Sequence, residues 1–388
     1  MRSNKLKYTC LFGGGAIRGL AYVGAIRAME ELGIEFDIIG GSSVGSVIAT
    51  LLACGYKSYE LESLFLKVNF ELFKDIHFGI GKNFALSKGG IFIDWLNELI
   101  SRDTTKKNLT FSDLDKDLVI ITTNLNTFET QEFSKYKTPD FEIAKAIRIS
   151  SSMPGLMPPF EYEGARLVDG DLQKASPMWK LSDTLNNSKS RIIEFRLEGE
   201  ADHDNNNPLS FINTIYSCVT DVATDFVKEI YGQNDRYECI KIGTGDIFFA
   251  DFNLDKEARR KLIDNGYHQT MEYFKKVLPA KKQKLSEVYS KILKSLKNAN
   301  KGLKADNVEE VQWWFGDIFT VMCENKEIID KNIYNQILEL KNILTDSSSR
   351  FLFFYTKFND RKILEEKMKD VIKTVDERVS EIKIALQN

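Results

Sequence analysis

Histidine is scarce in this chain: His77, His203 and His268 are the only three in 388 residues. None has a setting that suggests a catalytic loop at a strand end. His77 sits in a phenylalanine-rich stretch, His203 in a polar run at 202–208, and His268 in a segment patterned as helix. A Ser-His-Asp triad therefore finds no well-placed base. Cysteine is sparse too. Cys10, Cys54, Cys218, Cys239 and Cys323 are scattered and odd in number, without metal or redox spacing. Mostly buried free thiols in a reducing cytoplasm are expected, with no metal site and no cofactor. No apolar run reaches the roughly 20 residues of a membrane span. The positive start Met1-Arg2-Ser3-Asn4-Lys5 has no apolar secretory core behind it, so no signal peptide is read. A net charge of −3 supplies no global field for nucleic acid. Structure breakers also run out. All seven prolines lie at or before Pro279, and only Gly302 and Gly316 of the 24 glycines follow it. Residues 280–388 are thus expected to form a helical region of unknown role, set apart from a domain at 1–279.

The first 55 residues are richly patterned. An apolar strand at Lys7–Phe12 runs into Gly13-Gly14-Gly15-Ala16-Ile17-Arg18-Gly19, and a helix follows to Gly33. A second strand, 36–39, ends in Gly40-Gly41-Ser42-Ser43-Val44-Gly45, and another helix follows to Gly55. This βαβα order predicts parallel pairing and an α/β fold. Further strands are expected at 117–123, 166–168, 192–197 and 239–242, with 127–133 beside the first of them. Between 56 and 110, Phe65, Phe70, Phe73, Phe78, Phe84 and Phe92 punctuate mixed helices and turns. They suit an ordinary core-facing insertion, or a hydrophobic wall over an acyl pocket. Beyond the break, residues 275–304 hold ten lysines and one acid, Glu287, around an apolar stripe at Leu285, Val288, Ile292 and Leu296. That basic amphipathic helix reads as a solvated face of its own domain or as a surface attracted to anionic membranes. The last helix, 360–385, could pack in a bundle or support a homo-oligomer.

The chemistry centres on Gly41-Ser42-Ser43-Val44-Gly45, the Gly-x-Ser-x-Gly form of a nucleophile elbow with strand before and helix after. Ser43 is the candidate nucleophile, and Gly41 and Gly45 give the tight turn its room. Asp169 is a better base than any histidine, because it ends a short apolar strand and precedes Gly170. At an ordinary pKa near 3.9 an aspartate takes a serine proton poorly, so its site would have to be partly desolvated. Asp169-Gly170 alone also reads as a plain turn. The triple-glycine loop opens a helix, so its N–H groups and the helix dipole favour an anion. It is not a P-loop, because Leu20-Ala21 follow Gly19. It is not a dinucleotide fingerprint, because Arg18 stands where glycine is required. Arg18 could bind a substrate phosphate, brace the loop or form a structural ion pair.

Four motifs in order, Gly-Gly-Gly-Ala-Ile-Arg-Gly, Gly-Ser-Ser-Val-Gly, Ser-Ser-Met-Pro-Gly-Leu-Met-Pro-Pro and Asp-Gly-Asp, resemble the patatin-like phospholipases over roughly residues 7–275. The resemblance implies a three-layer α/β/α fold with a mainly parallel central sheet, related to group IV cytosolic phospholipases. It implies a serine–aspartate dyad, Ser43 as nucleophile and Asp169 as base, with Gly14, Gly15 and Arg18 in the oxyanion region and no metal. The implied activity is hydrolysis of fatty acyl esters of phospholipids or other acyl lipids, in the cytoplasm or peripherally at the inner membrane surface. Acyl transfer on the same site, or a membrane-degrading effector activated by a partner or ligand through the C-terminal region, are the alternatives. Three departures from the family pattern stand out: Ala16 for a common glycine, Ser176 for the common asparagine before proline, and Asp171 where glycine or alanine is usual.

Overall fold

The structure is a computed structural model that describes residues 7–74, 89–173, 176–178, 191–199, 208–232, 236–326, 328–346 and 358–387. The chain divides into two compact units. One comprises Met1–Tyr231 with Arg236–Glu272, the other Gly232–Asp235 with Tyr273–Asn388.

The first unit is built on a mixed, mainly parallel sheet. Its strands are β1 (Lys7–Phe12), β2 (Glu35–Gly41), β3 (Asp117–Asn124), β4 (Glu129–Ser134), β5 (Phe160–Tyr162), β6 (Ala165–Asp169), β7 (Arg191–Glu198) and β8 (Tyr237–Gly243). They lie in the order β5-β6-β3-β2-β1-β7-β8, with β4 on β3. The pairs β1/β2, β2/β3, β1/β7 and β7/β8 are parallel, and β3/β4, β3/β6 and β5/β6 are antiparallel. Parallel neighbours need crossovers. Helix α1 (Ala21–Glu31) joins β1 to β2. Helices α2 (Val44–Ala53), α3 (Ser58–Phe65) and α4 (Gly90–Ile100) lie between β2 and β3. Helix α5 (Ile143–Ser150) precedes β5, α6 (Pro208–Tyr231) joins β7 to β8, and α7 (Lys256–Glu272) packs on α1.

The steps β1→β2→β3 run one way along the sheet and β7→β8 the other, so right-handed crossovers place helices on both faces. On one face Leu11, Val119, Ile121 and Ile192 pack with Val227 of α6. Their alternation with neighbours on the other face is the period-two pattern of a strand. The middle strands are apolar on both faces because both are covered: Cys10, Leu11, Phe12 and Ile39 are fully buried. Helix α2 packs against β1, β2 and β3 and is buried along almost its whole length. Its nearly uniform apolar composition, rather than a stripe, is what such a position demands. The order also makes β1 the point where connections diverge, to β2 on one side while β7 lies on the other. Ligand sites in open α/β sheets form at the carboxyl ends of strands at such a point.

The second unit holds α8 (Leu278–Lys304), α9 (Val308–Glu324), α10 (Lys331–Asp346) and α11 (Phe358–Gln387). Pro279 stands in the first turn of α8, where its missing N–H is harmless. The helices share one apolar core, with Tyr289, Ile292 and Leu296 meeting Ile318, Met322, Ile337, Met368 and Val375. The Tyr289 hydroxyl accepts the Asp330 N–H at 2.8 Å, so the ring buries its bulk without stranding its polar end. The apolar stripe of the lysine-rich helix faces this core, and Lys284, Lys291, Lys294 and Lys301 are exposed on its outer side. Among the described residues no helix is long and apolar enough to cross a membrane.

Candidate active site

The turn between β2 and α2 puts Ser43 at φ 51°, ψ −130°, a region that a residue with a side chain rarely adopts. Such strain costs on the order of 1–3 kcal/mol and persists only where the surroundings impose it. Here they do. Ser42 N–H donates to the Phe12 carbonyl at 3.1 Å, and Gly45 N–H to the Ser42 carbonyl at 2.8 Å. The Ser46 hydroxyl donates to the Ser43 carbonyl at 2.6 Å, and Ser43 N–H donates to Ser150 Oγ at 3.0 Å. Ser150 Oγ in turn donates to the Ile121 carbonyl at 2.7 Å. The flanking glycines are a packing requirement. A Cβ on Gly45 would stand 2.1 Å from the Phe12 carbonyl oxygen, and one on Gly41 2.2 Å from the Gly45 oxygen. Ser43 caps α2, and the N–H of Val44 is one of the donors a helix start leaves unpaired.

Strand register brings Asp169 to the same place. Gly41 on β2 pairs with Ile120 on β3, and Thr122, two residues further along β3, pairs with Asp169 on β6. Ser43 lies two residues beyond Gly41, so both side chains gather at the same end of β3. The segment after α5 ties them together: Ser150 holds the Ser43 N–H, and the Ser152 carbonyl accepts the Asp169 N–H at 3.1 Å. Asp169 is completely buried, and its Oδ1 accepts the Asp171 N–H at 2.9 Å. Burial pushes its carboxyl well above the usual carboxylate range, and the neighbouring Asp171 charge pushes it further. The hydroxyls of Tyr216 and Ser43 and the Asp171 N–H oppose this in part by stabilising the ionised form. Neither hydroxyl makes a bond of standard geometry to Oδ2, which sits buried between them and the core.

The glycine loop lies against Ser43 and Asp171. A Cβ on Gly14 would be 3.0 Å from Ser43 Cβ and 1.7 Å from Asp171 Oδ2, so only hydrogen fits there. The Gly14 N–H bonds to the Asp171 carboxylate. Gly15, at φ 143°, leads into the 3-10 turn Ala16–Leu20. The loop is held from behind: Gly13 N–H donates to the Phe195 carbonyl at 3.1 Å, and the Tyr22 hydroxyl donates to the Gly13 carbonyl at 2.9 Å. Arg18 donates from Nε to the Gly15 carbonyl at 3.4 Å and lies along Gly199, so it braces the loop. Arg196 packs against Gly13 and pairs with Glu194 at 2.7 Å. Tyr237 donates to the same glutamate at 2.5 Å. Asp171 is buried beside this cluster. Burial raises its carboxyl, and the Arg196 charge opposes that rise.

Ser43 opens onto a cavity of about 340 Å³ whose walls include Val47, Phe65, Phe70, Phe73, Phe92 and Trp95. Four of the phenylalanines singled out in the sequence thus stand beside the serine; Phe78 and Phe84 lie outside the described residues. Phe73 lies tilted against Trp95 with ring centroids 4.7 Å apart, and Phe92 stacks on Trp95 at 6.1 Å, so the wall is continuous aromatic surface. Of the histidines, His268 lies in α7 edge-on to Tyr267 at 5.2 Å, and it does not line this cavity. His77 and His203 lie outside the described residues. Three participants had no separate mark in the sequence. Arg196 sits within the strand read at 192–197, and Tyr216 in a stretch after the polar run at 202–208 that no sequence motif marked. Ser150 was visible only as part of a serine run.

The family model for patatin-like phospholipase matches residues 11–179. An uncharacterised protein, R571, of Acanthamoeba polyphaga mimivirus is 31% identical over 288 residues, covering 71% of this chain and 96% of the relative. The lysophospholipase nte1 of Aspergillus niger is 30% identical over 173 residues, which is 41% of this chain and 10% of that protein. Among solved structures, VipD from Legionella pneumophila shares the fold, with a TM-score of 0.53 at 16% identity, covering 95% of this chain and 88% of that one. Motifs, sheet and relatives lead to one conclusion: the chain belongs to the patatin-like phospholipase family.

Proposed function

We propose that the protein is a lipid acyl hydrolase that cleaves fatty acyl esters through an acyl-enzyme on Ser43, with Asp169 as the base. The observation that carries this reading is a strained serine beside a fully buried aspartate at the mouth of an aromatic-walled cavity. The cavity takes the acyl chain, because apolar lining of this size suits an alkyl chain and no charged group. Ser43 Oγ attacks the ester carbonyl as Asp169 takes its proton. A carboxylate raised by burial is a stronger base than a solvated one, which brings it nearer the basicity the step needs. The oxyanion is met by the N–H groups of Gly15 and Val44, while Gly14, its own N–H held by Asp171, lets the loop approach Ser43 closely and Arg18 supports the loop from behind. Asp169 returns the proton to the leaving alcohol and then activates water against the acyl-enzyme. This catalytic work is assigned to residues 1–279, and residues 280–388 to a role other than bond cleavage.

The likeness to lysophospholipases makes glycerophospholipids the first substrates to try. A lipid panel incubated with the protein and read by mass spectrometry is expected to show free fatty acid and an equal amount of the matching alcohol or lysolipid. Failure to release fatty acid from any phospholipid, lysophospholipid or neutral ester would overturn the reading.

A pH profile tests the base. Asp169 works only when ionised, and burial and Asp171 both raise its pKa. The acid limb of kcat/KM is therefore expected well above pH 4. Asp171→Asn removes a negative neighbour, so it should lower the Asp169 pKa and move that limb to lower pH. A limb that stays in place or moves upward would show that Asp169 is not the titrating base.

A further inference from the structure

A second cavity lies behind the glycine loop. It measures about 70 Å³, and Gly14, Asp171, Arg196, Tyr216, Thr220 and Thr224 are among its walls. Unlike the acyl cavity, it carries polar groups over about half of its wall, beside Met153, Leu197 and Phe249. Three of these residues carry buried polar atoms that make no bond of standard geometry among the described residues: Asp171 Oδ1, Arg196 Nε and Tyr216 Oη. Buried polar atoms are almost always hydrogen-bonded, and where protein does not serve them, ordered water does. At roughly 30 Å³ per molecule, a space of this size takes about two waters. Lys241 and Glu198 pair at its rim with side chains 41% and 56% exposed, which connects it to bulk solvent. On its inner side the Tyr216 hydroxyl stabilises the Asp169 carboxylate, and Asp169 Oδ2 is itself buried without a bond of standard geometry.

We propose that this polar cavity is a water site that supplies the deacylation step, with Tyr216 as the positioning residue between its water and Asp169. The inference rests on the acyl-enzyme reading above. Once an acyl chain fills the aromatic cavity, that approach to Ser43 is closed to water. Hydrolysis then needs a separate polar route, and the cavity behind the glycine loop is walled by Tyr216, whose hydroxyl stabilises the Asp169 carboxylate that must deprotonate the water. The water oxygen bonds to the carbonyl carbon of the Ser43 ester while its proton passes to Asp169. The tetrahedral intermediate collapses, the bond from carbon to Ser43 Oγ breaks, and Asp169 returns the proton to Oγ. Free fatty acid leaves, and a further water enters past Lys241 and Glu198. A built-in water supply also favours hydrolysis over transfer to another alcohol.

The test separates acylation from deacylation. The protein is acylated with an activated fatty ester, and the acyl adduct on Ser43 is followed by mass spectrometry as it forms and decays. Thr220→Leu and Thr224→Leu place larger apolar side chains in the cavity, and Thr220→Ser keeps both space and hydroxyl. In both leucine variants, adduct formation is expected within about twofold of wild type and adduct decay about tenfold slower. Added methanol should shift their product toward methyl ester, and Thr220→Ser should behave as wild type. Should the leucine variants fail to fold, Tyr216→Phe decides when assayed at a pH above the acid limb, where Asp169 is ionised in either protein, with adduct formation near wild type and adduct decay slow. Unchanged decay, or formation and decay falling in parallel, would overturn the water site and leave the acyl-enzyme reading standing. Absence of any adduct on Ser43 in the wild type would overturn both.

Discussion

Ser43→Ala and Asp169→Asn are each expected to reduce ester hydrolysis by about 10⁴-fold without loss of fold, and the double variant is expected to be no worse than Ser43→Ala alone. The non-additivity is the sharper claim. A base has nothing to deprotonate once the nucleophile is gone, so two residues that act as one unit cannot be lost twice. The structure explains why both variants should stay folded. The elbow is held by the backbone N–H and carbonyl of Ser43, through Ser150 and Ser46, and not by its hydroxyl. Asp169→Asn keeps an oxygen to accept the Asp171 N–H. Because the folded-state pKa of Asp169 is raised, its charge opposes folding once the pH exceeds the carboxylate's unfolded value. A neutral amide relieves that opposition, so the variant should be at least as stable at neutral pH. Turnover on a phospholipid together with urea denaturation checks both statements. Losses that multiply in the double variant would show that Ser43 and Asp169 act separately.

Gly45→Ala is expected to cost more than about 3 kcal/mol of stability and to abolish activity. The added Cβ would meet backbone on three sides: the Phe12 oxygen at 2.1 Å, the Phe12 carbon at 2.5 Å and the Gly13 oxygen at 2.6 Å. Backbone at the end of the central strand cannot rotate away as a side chain can. Any shift would move the glycine loop relative to Ser43. Gly316→Ala is the control. It lies inside α9 with nothing within 4 Å of its added Cβ, so it should be neutral or gain up to about 1 kcal/mol of helix propensity. Equal denaturation midpoints for Gly45→Ala and wild type would refute the packing argument.

The βαβα opening, the serine elbow, the glycine loop and the late helical region were all legible from local pattern. They depend on short-range rules: apolar runs that end in glycine, helical spacing, and the disappearance of proline and glycine after Pro279. Strand edges were less legible. The short strand β5 passes for a turn in the sequence, because three residues of Phe160–Tyr162 have no periodicity of their own. It exists by pairing with β6. The alternatives for Arg18 were equally open from sequence, because an arginine after a glycine loop can reach in several directions. Its bond to the Gly15 carbonyl places it behind the loop.

By itself the sequence determined the class of fold, the place of the candidate serine in a strand–turn–helix elbow and the want of a well-placed histidine. Only the tertiary structure decided where Asp169 lies. An Asp-Gly pair reads as a turn until the register of β2, β3 and β6 sets it beside Ser43 and burial removes water from its carboxylate. The same holds for Asp171, Arg196 and Tyr216. They come from three separate segments and converge behind the glycine loop. Burial and pairing depend on what the rest of the chain places nearby, and no local pattern encodes them.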